Sequence, residues 1–381
     1  MSFALRIIFL LSLLAALPSA AQQFNPPSYY KVGPSGAEPA QIVTGDFNRD
    51  GNLDLAIADT QRGGVNVLLG NGDGTFQPPI RLNVSSPYAL AVGDVNGDGI
   101  PDLLVQQLGA AGDLYVYLGN GDGTFHVKVR YPVLAYPVAI AVADLNGDGK
   151  LDIVVTNSNQ EQKNEGYITI LFGNGDGTFT RRAHYSAGRT PYGVAVGDLN
   201  GDGHPDIVVA NDNAFNDADL NTLFVLLNNG DGTFRQGGIY QTGVESVNVS
   251  IADLNGDHKP DLVVASAFNQ SIAVLLGSGE GTFSAPVFYS TSALGAAPSA
   301  AVVADFNGDG NPDVATILYD GGVALLYGNG DGTFQTAIHA VSGGTSGGTS
   351  LVTGDFNHDG APDIAFSSLT EAEAGVLINK Q

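Results

Sequence analysis

The sequence predicts an all-β protein, a seven-bladed β-propeller of four-stranded blades, and three observations carry that expectation. First, the nonapeptide Asp-x-Asn-x-Asp-(Gly)-x-x-Asp starts at Asp46, Asp94, Asp144, Asp198, Asp253, Asp305 and Asp355, at spacings of 48, 50, 54, 55, 52 and 50 residues. Second, each unit reads as four short strands. Third, the last unit lacks its fourth strand, and a matching segment stands near the start of the chain.

The first element in order is a leader. Arg6 precedes an apolar run from Ile7 to Leu17, and small residues follow up to Ala21, the layout of a signal peptide. The run of 11 residues is shorter than the roughly 18 needed to cross a bilayer, and Ser19 and Ala21 fit the positions before a cleavage site. Residues 1–21 are expected to be removed and 22–381 to form the propeller. Those 360 residues, shared among seven units, give about 51 each and leave no room for a second domain.

Within a unit the first strand ends in a small residue beside the first Asp (Gly45, Gly93, Ala143, Gly197, Ala252, Ala304, Gly354), as a crowded inner strand requires. The second is β-branched or Leu-rich, as in Ile153-Val154-Val155 or Leu262-Val263-Val264, and a polar loop leads to a third such as Leu223 to Leu227. The third ends in Gly-Asn-Gly-Asp-Gly-Thr-Phe or a close variant. That is a hairpin turn feeding a fourth strand, which begins at Phe76, Phe125, Phe179, Phe234, Phe283 or Phe334. No segment sustains a 3.6-residue apolar period, so essentially no helix is expected.

Four-stranded units at a period near 50 residues indicate propeller blades, with an open solenoid as the rival. The chain ends decide between them. The last unit stops at Val376-Leu377-Ile378-Asn379, on its third strand, while Phe24-Asn25-Pro26-Pro27 aligns with Phe76-Gln77-Pro78-Pro79 and runs on through Tyr29 and Tyr30. A ring closed by that N-terminal strand in the last blade removes both open edges.

The acidic loops read as cation sites. Calcium takes six to eight oxygens, and a tight loop provides them by turning alternate side chains inward. Position six is Gly in all but one loop, and position seven varies freely, as expected where only a carbonyl is offered. The candidate ligands at positions one, three, five, seven and nine are Asp46, Asn48, Asp50, Asn52 and Asp54, then Asp94, Asn96, Asp98, Ile100 and Asp102. The third and fourth loops give Asp144, Asn146, Asp148, Lys150 and Asp152, and Asp198, Asn200, Asp202, His204 and Asp206. The last three give Asp253, Asn255, Asp257, Lys259 and Asp261, then Asp305, Asn307, Asp309, Asn311 and Asp313, then Asp355, Asn357, Asp359, Ala361 and Asp363. A helix-loop-helix calcium loop would need Glu at position twelve. Ile57, Val105, Val155, Val209, Val264, Thr316 and Phe366 stand there instead, so the ninth-position Asp must close the site and the chain must leave as a strand. A single such loop could be an Asx-rich turn with no metal, but seven with carboxylates at the same three positions point to up to seven structural Ca²⁺. His258, in place of the turn Gly, marks the fifth as the weakest. The hairpin acids Asp73, Asp122, Asp176, Asp231, Glu280 and Asp331 are read as turn formers.

These motifs resemble the FG-GAP/VCBS repeat family, whose calcium-bearing propellers include that of the integrin α subunits. The resemblance runs from Phe24 to the C-terminus and rests on Gly-Asp-Leu-Asn-Gly-Asp-Gly together with Gly-Asn-Gly-Asp-Gly-Thr-Phe. It implies calcium ligands at the same five loop positions. The literal Phe-Gly and Gly-Ala-Pro elements are blurred here, and the integrin's other domains and membrane helix are not seen, so receptor signalling is not carried over.

Composition narrows the function. A formal net charge of −24 with only 15 Lys and Arg opposes nucleic acid and anionic membrane surfaces. No later segment is apolar enough for membrane insertion, and there is no cysteine for a disulfide or a lipid anchor. The expected location is secreted, periplasmic or cell-surface, as a monomer. An enzyme is not expected: Gly344-Thr345-Ser346-Gly347-Gly348 fits Gly-x-Ser-x-Gly but lacks the strand-to-helix setting of a nucleophile elbow, and the six His show no zinc-protease spacing.

The acidic loops and hairpin turns should share one face of the disc, leaving loops of varied length on the other. That face is expected to bind a carbohydrate or protein ligand, with Asn157, Asn159, Tyr192, Asn211, Asn213 and Asp217 as candidates, off-centre across blades three and four. Tyr88, Tyr136, Arg189, Tyr240 and Tyr289 add to the same surface, or else pack between blades. A scaffold subunit of an envelope or extracellular complex is the alternative, and a polysaccharide-active enzyme a further one.

Overall fold

The computed structural model describes residues 23–380 except 34–37, 110–111, 159–165, 213–221, 244, 295, 343–346 and 369–371. The leader expected over residues 1–21, together with Asn159, Asn213, Asp217 and Ser346, lies outside the described residues.

Seven antiparallel sheets of four strands follow one another along the chain. In blade one the order from the axis outward is Pro39–Gly45, Asp54–Asp59, Gly64–Leu68 and Ile80–Leu82. The 3₁₀ turn Ser292–Leu294 aside, the described elements are strands, as the missing helical period predicts. The second strand is buried along its whole length in six of the blades, Asp206–Asn211 and Asp261–Ser266 among them. Both of its faces meet neighbouring blades, so its sequence is continuously apolar rather than alternating. The outer strands are mostly exposed, as in Phe234–Gln241.

The core lies between blades. Phe47, Ala56 and Val67 of blade one pack with Leu90, Leu103 and Val105 of blade two, and the same construction repeats around the ring. A recurring aromatic pair fastens the rim. The outer-strand Tyr of one blade meets the first outer-strand Phe of the next edge-on, as in Tyr131–Phe179, Tyr185–Phe234, Tyr240–Phe283 and Tyr289–Phe334, with centroids 5.4–5.7 Å apart. The Tyr131 and Tyr240 hydroxyls also accept the Phe179 and Phe283 amides at 3.0 and 3.2 Å. Tyr240 and Tyr289 are therefore rivets between blades, not ligand contacts.

The ring closes as the split seventh blade requires. Ser28–Lys31 pairs antiparallel with Glu373–Leu377, Ser28 opposite Val376 and Lys31 opposite Glu373. Beyond it Phe24 bridges Asn379, the Asn25 amide donates to Ile378 O at 2.8 Å, and the Lys380 amide donates to Gln23 O at 2.9 Å. Phe24 is buried against Phe306 of blade six. Tyr30 makes the rim pair with Phe76 of blade one, at 5.5 Å.

Candidate functional site

The seven acidic loops are nearly superposable in their hydrogen bonds. In the first, Asp46 Oδ1 and Asn48 Oδ1 both accept the Asp50 amide, at 3.1 and 3.0 Å, which brings the two oxygens together on the concave side. Asp46 Oδ2 accepts the Gly51 amide at 3.0 Å, and Asp50 Oδ1 accepts the Asn52 amide at 2.8 Å. The shared amide recurs at Asp98, Asp148, Asp202, Asp257, Asp309 and Asp359. Side chains at positions one, three and five thus converge inside a loop whose amides partly offset their charge.

The ninth-position Asp is different in kind. Asp54 is fully buried, with Oδ2 on the Phe47 amide at 2.8 Å and Oδ1 on the Gly70 amide at 2.7 Å, so it ties the loop to the end of the third strand. Asp102, Asp152, Asp206, Asp261, Asp313 and Asp363 repeat both bonds. Burial pushes the carboxyls of Asp54, Asp152, Asp206, Asp313 and Asp363 up to about 6, against the pull of the two amides. Asp102 and Asp261 are raised for the same reason.

The donor set suits a hard cation, with two carboxylates, an amide oxygen, a backbone carbonyl at position seven and the remaining lone pairs of the ninth Asp. Among the described residues no three Asp, Glu or His side chains converge on one point unaided. Position seven contributes side chains of its own: Lys150 and Lys259 reach the fifth-position Asp148 and Asp257 at 3.8 and 3.7 Å.

Backbone conformation adds a feature that position six alone does not reveal. His258 takes φ 62°, the left-handed value expected where Gly is replaced. Position four is left-handed as well, and there Arg49 and His358 stand at φ 61° and 60° where the other loops carry Gly. The His358 ring meets Asn52 Oδ1 at 2.8 Å, joining loop seven to loop one.

Hairpin turns and acidic loops share one face, bonded to each other. The Gly74, Gly123, Gly177 and Gly281 amides donate to the position-two carbonyls Phe356, Phe47, Val95 and Leu199 of the preceding blade, at 2.9–3.0 Å. Five of the six hairpin acids form turns as expected: Asp73 Oδ1 accepts the Thr75 amide at 3.0 Å, and Asp122, Asp176, Asp231 and Asp331 repeat it at 2.9 Å, whereas at Glu280 the turn is made by Ser278, whose Oγ accepts the Glu280 amide at 3.1 Å. At the seam, where no such hairpin exists, the Asn379 and Gln23 side-chain amides donate to Phe306 O instead.

On the opposite face, the starts of the inner strands surround an axial cavity of about 250 Å³. In every blade the pairing of the first two strands slips there, as between Pro191 and Val194. Gly193 lets blade five approach, since a Cβ would lie 2.9 Å from Val247 O. Tyr192, expected off-centre, lines this cavity, and its hydroxyl bonds that of Tyr88 across the axis. Asn157 and Asn211 are corrected as ligand contacts because both are buried at strand ends. Asn157 Nδ2 donates to Leu134 O at 2.7 Å and its Oδ1 accepts the Thr169 hydroxyl, while Asn211 Nδ2 donates to Thr222 O at 3.2 Å.

The sequence matches the FG-GAP-like repeat family in six overlapping or adjoining stretches, 46–105, 107–155, 144–209, 198–264, 253–316 and 305–366. No curated protein matches the chain. Solved structures share the fold. A lectin of Agrocybe aegerita, described as recognising non-reducing terminal N-acetylglucosamine, is 22% identical with TM-score 0.55, over 88% of this chain and 86% of its own. The BBS1N propeller, solved in complex with ARL6DN, is 18% identical in two crystals. TM-scores are 0.59 and 0.63, over 93% and 96% of this chain and 96% and 98% of that one. With repeat matches running from 46 to 366 and seven blades built around them, the chain belongs to the FG-GAP-like repeat family.

Proposed function

We propose that this protein is an exported, calcium-binding propeller that serves as a recognition or adhesion module for a carbohydrate or protein ligand on the face opposite the acidic loops. The observation that carries the reading is the contrast between the two faces. One is a ring of near-identical turns bonded blade to blade, and the other holds a concave, Tyr-lined cavity at the starts of the inner strands. The acidic loops would hold calcium through positions one, three, five, seven and nine, stiffening the frame from which the other face is displayed. The descriptions of the similar propellers, a lectin and a partner-bound BBS1N, support the use of this architecture for recognition.

The test is binding to a glycan array and to candidate surface proteins, with calcium and with EDTA. A saturable ligand whose binding is lost when Tyr192 or Tyr319 is replaced by Ala, but kept when Asp73 or Asp122 on the hairpin turns is replaced by Ser, supports the reading. Loss only on changing the hairpin face overturns it.

A further inference from the structure

We propose that the axial cavity binds an uncharged acyl amide group, its carbonyl oxygen on an uncapped inner-strand amide, that of Ile140 or Val194, and its alkyl part against the tyrosine rings. This rests on the recognition reading above and names the chemistry that the variable face takes.

Backbone geometry comes first. The inner strands pair with the second strands at one repeating position, with Ile42 opposite Ile57, Leu90 opposite Val105, Ile140 opposite Val155, Val194 opposite Val209 and Ala301 opposite Thr316. At that position the amide turns out of its own ladder toward the preceding blade, where a side-chain oxygen can cap it. Gln41 Oε1 accepts the Leu90 amide at 2.8 Å, Asn248 Oδ1 accepts the Ala301 amide at 3.1 Å, and Ser350 Oγ accepts the Ile42 amide at 3.4 Å. Ahead of Ile140 and Val194 the same place is held by Ala89 and Ala139, whose side chains carry no oxygen. Ile140 and Val194 both line the cavity, so two backbone donors on neighbouring blades stand there uncapped, a state that costs free energy until an acceptor meets them.

The rest of the lining adds donors and no charge. With their oxygens turned to neighbouring blades, Gln41 and Asn248 keep the nitrogen end of each carboxamide still to be paired. The Ser299 and Thr349 hydroxyls donate to Gly348 O and Ala40 O at 2.7 and 2.6 Å, and those of Tyr88 and Tyr192 bond each other. Among the described residues no Lys, Arg, His, Asp or Glu lines the cavity. An anion would therefore enter a protein of net charge −24 without a counter-charge, and a cation would meet N–H groups head-on. An uncharged carbonyl oxygen avoids both penalties. Size and the apolar wall set the remainder. A volume of about 250 Å³, below the roughly 300–1,000 Å³ of ordinary small-molecule sites, suits a group of few heavy atoms, and Val138, Val247 and the rings of Tyr192 and Tyr319 can cover its alkyl part.

The experiment is titration of the calcium-loaded protein with N-methylacetamide, acetate and isopropylammonium, followed by calorimetry and by the backbone amide NMR signals of Ile140 and Val194. The proposal expects saturable binding of the amide alone, with a downfield move of one or both of those amide protons. Ala89→Ser combined with Ala139→Ser supplies the missing caps, as Ser350 does for Ile42. This pair should weaken the amide about fivefold or more, as loss of one hydrogen bond does, without lowering the melting temperature. Tyr319→Ala, at a half-exposed ring, should weaken it severalfold and gives an independent reading. Melting curves establish that the variants fold. Tighter binding of N-acetylglucosamine than of N-methylacetamide identifies a sugar as the bearer of the group, and equal or weaker binding identifies a free amide. No saturable binding at tens of millimolar, equal or tighter binding of acetate or the ammonium, or indifference to either variant that folds overturns the proposal. A glycan or protein ligand that still binds this face in saturating N-methylacetamide, and in the capped variant, would leave the recognition reading standing while the amide site fell.

Discussion

Asp212 carries a consequence for stability that is separate from any ligand. Its carboxyl, raised from 3.8 to about 6 by burial first and Glu245 second, favours the folded state when protonated. Because the folded value lies above the unfolded one, this contribution is complete below about pH 4 and is lost as pH rises through about 6. Asn cannot ionise, so Asp212→Asn should melt with the parent near pH 4 and above it near pH 7.5, by on the order of 1 kcal/mol or more. A melting series across that range, read for both proteins, checks it. A difference that is flat with pH, or that shrinks as pH rises, would show that the Asp212 charge is not the costly group. The cavity residues were only half legible in the sequence. Tyr192 stood out as an aromatic in an inter-blade segment, but its place on the axis depends on the slip in strand pairing after Pro191, which no local pattern announces. Asn157 and Asn211 looked like loop amides because each follows an apolar run, whereas the strand extends one residue further and buries them.

At the scale of the element, the outer strand of the last blade is the most informative. Its sequence resemblance to Phe76-Gln77-Pro78-Pro79 was enough to place it, since Phe24 bridges the end of the third strand as Phe76 does in blade one, while Tyr30 meets the next blade as the outer-strand Tyr of blades two to five does. Deleting residues 22–30 should therefore expose the third strand of that blade, Glu373–Leu377, as an open edge. It also removes Phe24 from the core shared with blade six and the Gln23 contact to Phe306 O. The expected outcome is oligomerisation on a sizing column and a fall in the melting midpoint of several degrees, larger than ordinary terminal trimming gives. A truncated protein that stays monomeric and melts like the parent would count against closure by this strand. The Asn379 side chain in the role of a missing hairpin Gly was not legible, because its equivalence to Asn228, which donates to Leu145 O at 2.8 Å, appears only when the two blades are overlaid.

For the whole molecule the dominant quantity is charge. Seven Ca²⁺ would add +14 to a formal −24, and metal bound to the folded ring alone stabilises it by mass action, about 2.7 kcal/mol for a site at a hundredfold excess over its Kd. Melting after EDTA should accordingly occur well below melting in excess calcium, and calorimetry should count up to seven sites. A melting temperature unchanged by either treatment would remove calcium from the account. The fifth loop, with His258 at φ 62° and Lys259 beside Asp257, should be the last to fill. Blade number, strand order and the acidic-loop positions were legible because repetition multiplies a weak local signal seven times. The bonds between loops and hairpins of neighbouring blades were not, since they join residues that no single repeat contains.

The pairing of Ser28 with Val376 also fixes an order of events. The strand made first on the ribosome can find its partner only when the last blade has been made, so through most of synthesis the nascent chain is an open horseshoe with an unpaired leading segment. Intermediate blades bury their cores against one another as they emerge, but closure joins segments almost the whole chain apart and is expected late and slow. Until then the unfinished ring presents one blade face without a neighbour. The closing strand thus acts in time as well as in space, distinguishing a finished molecule from an arc of blades.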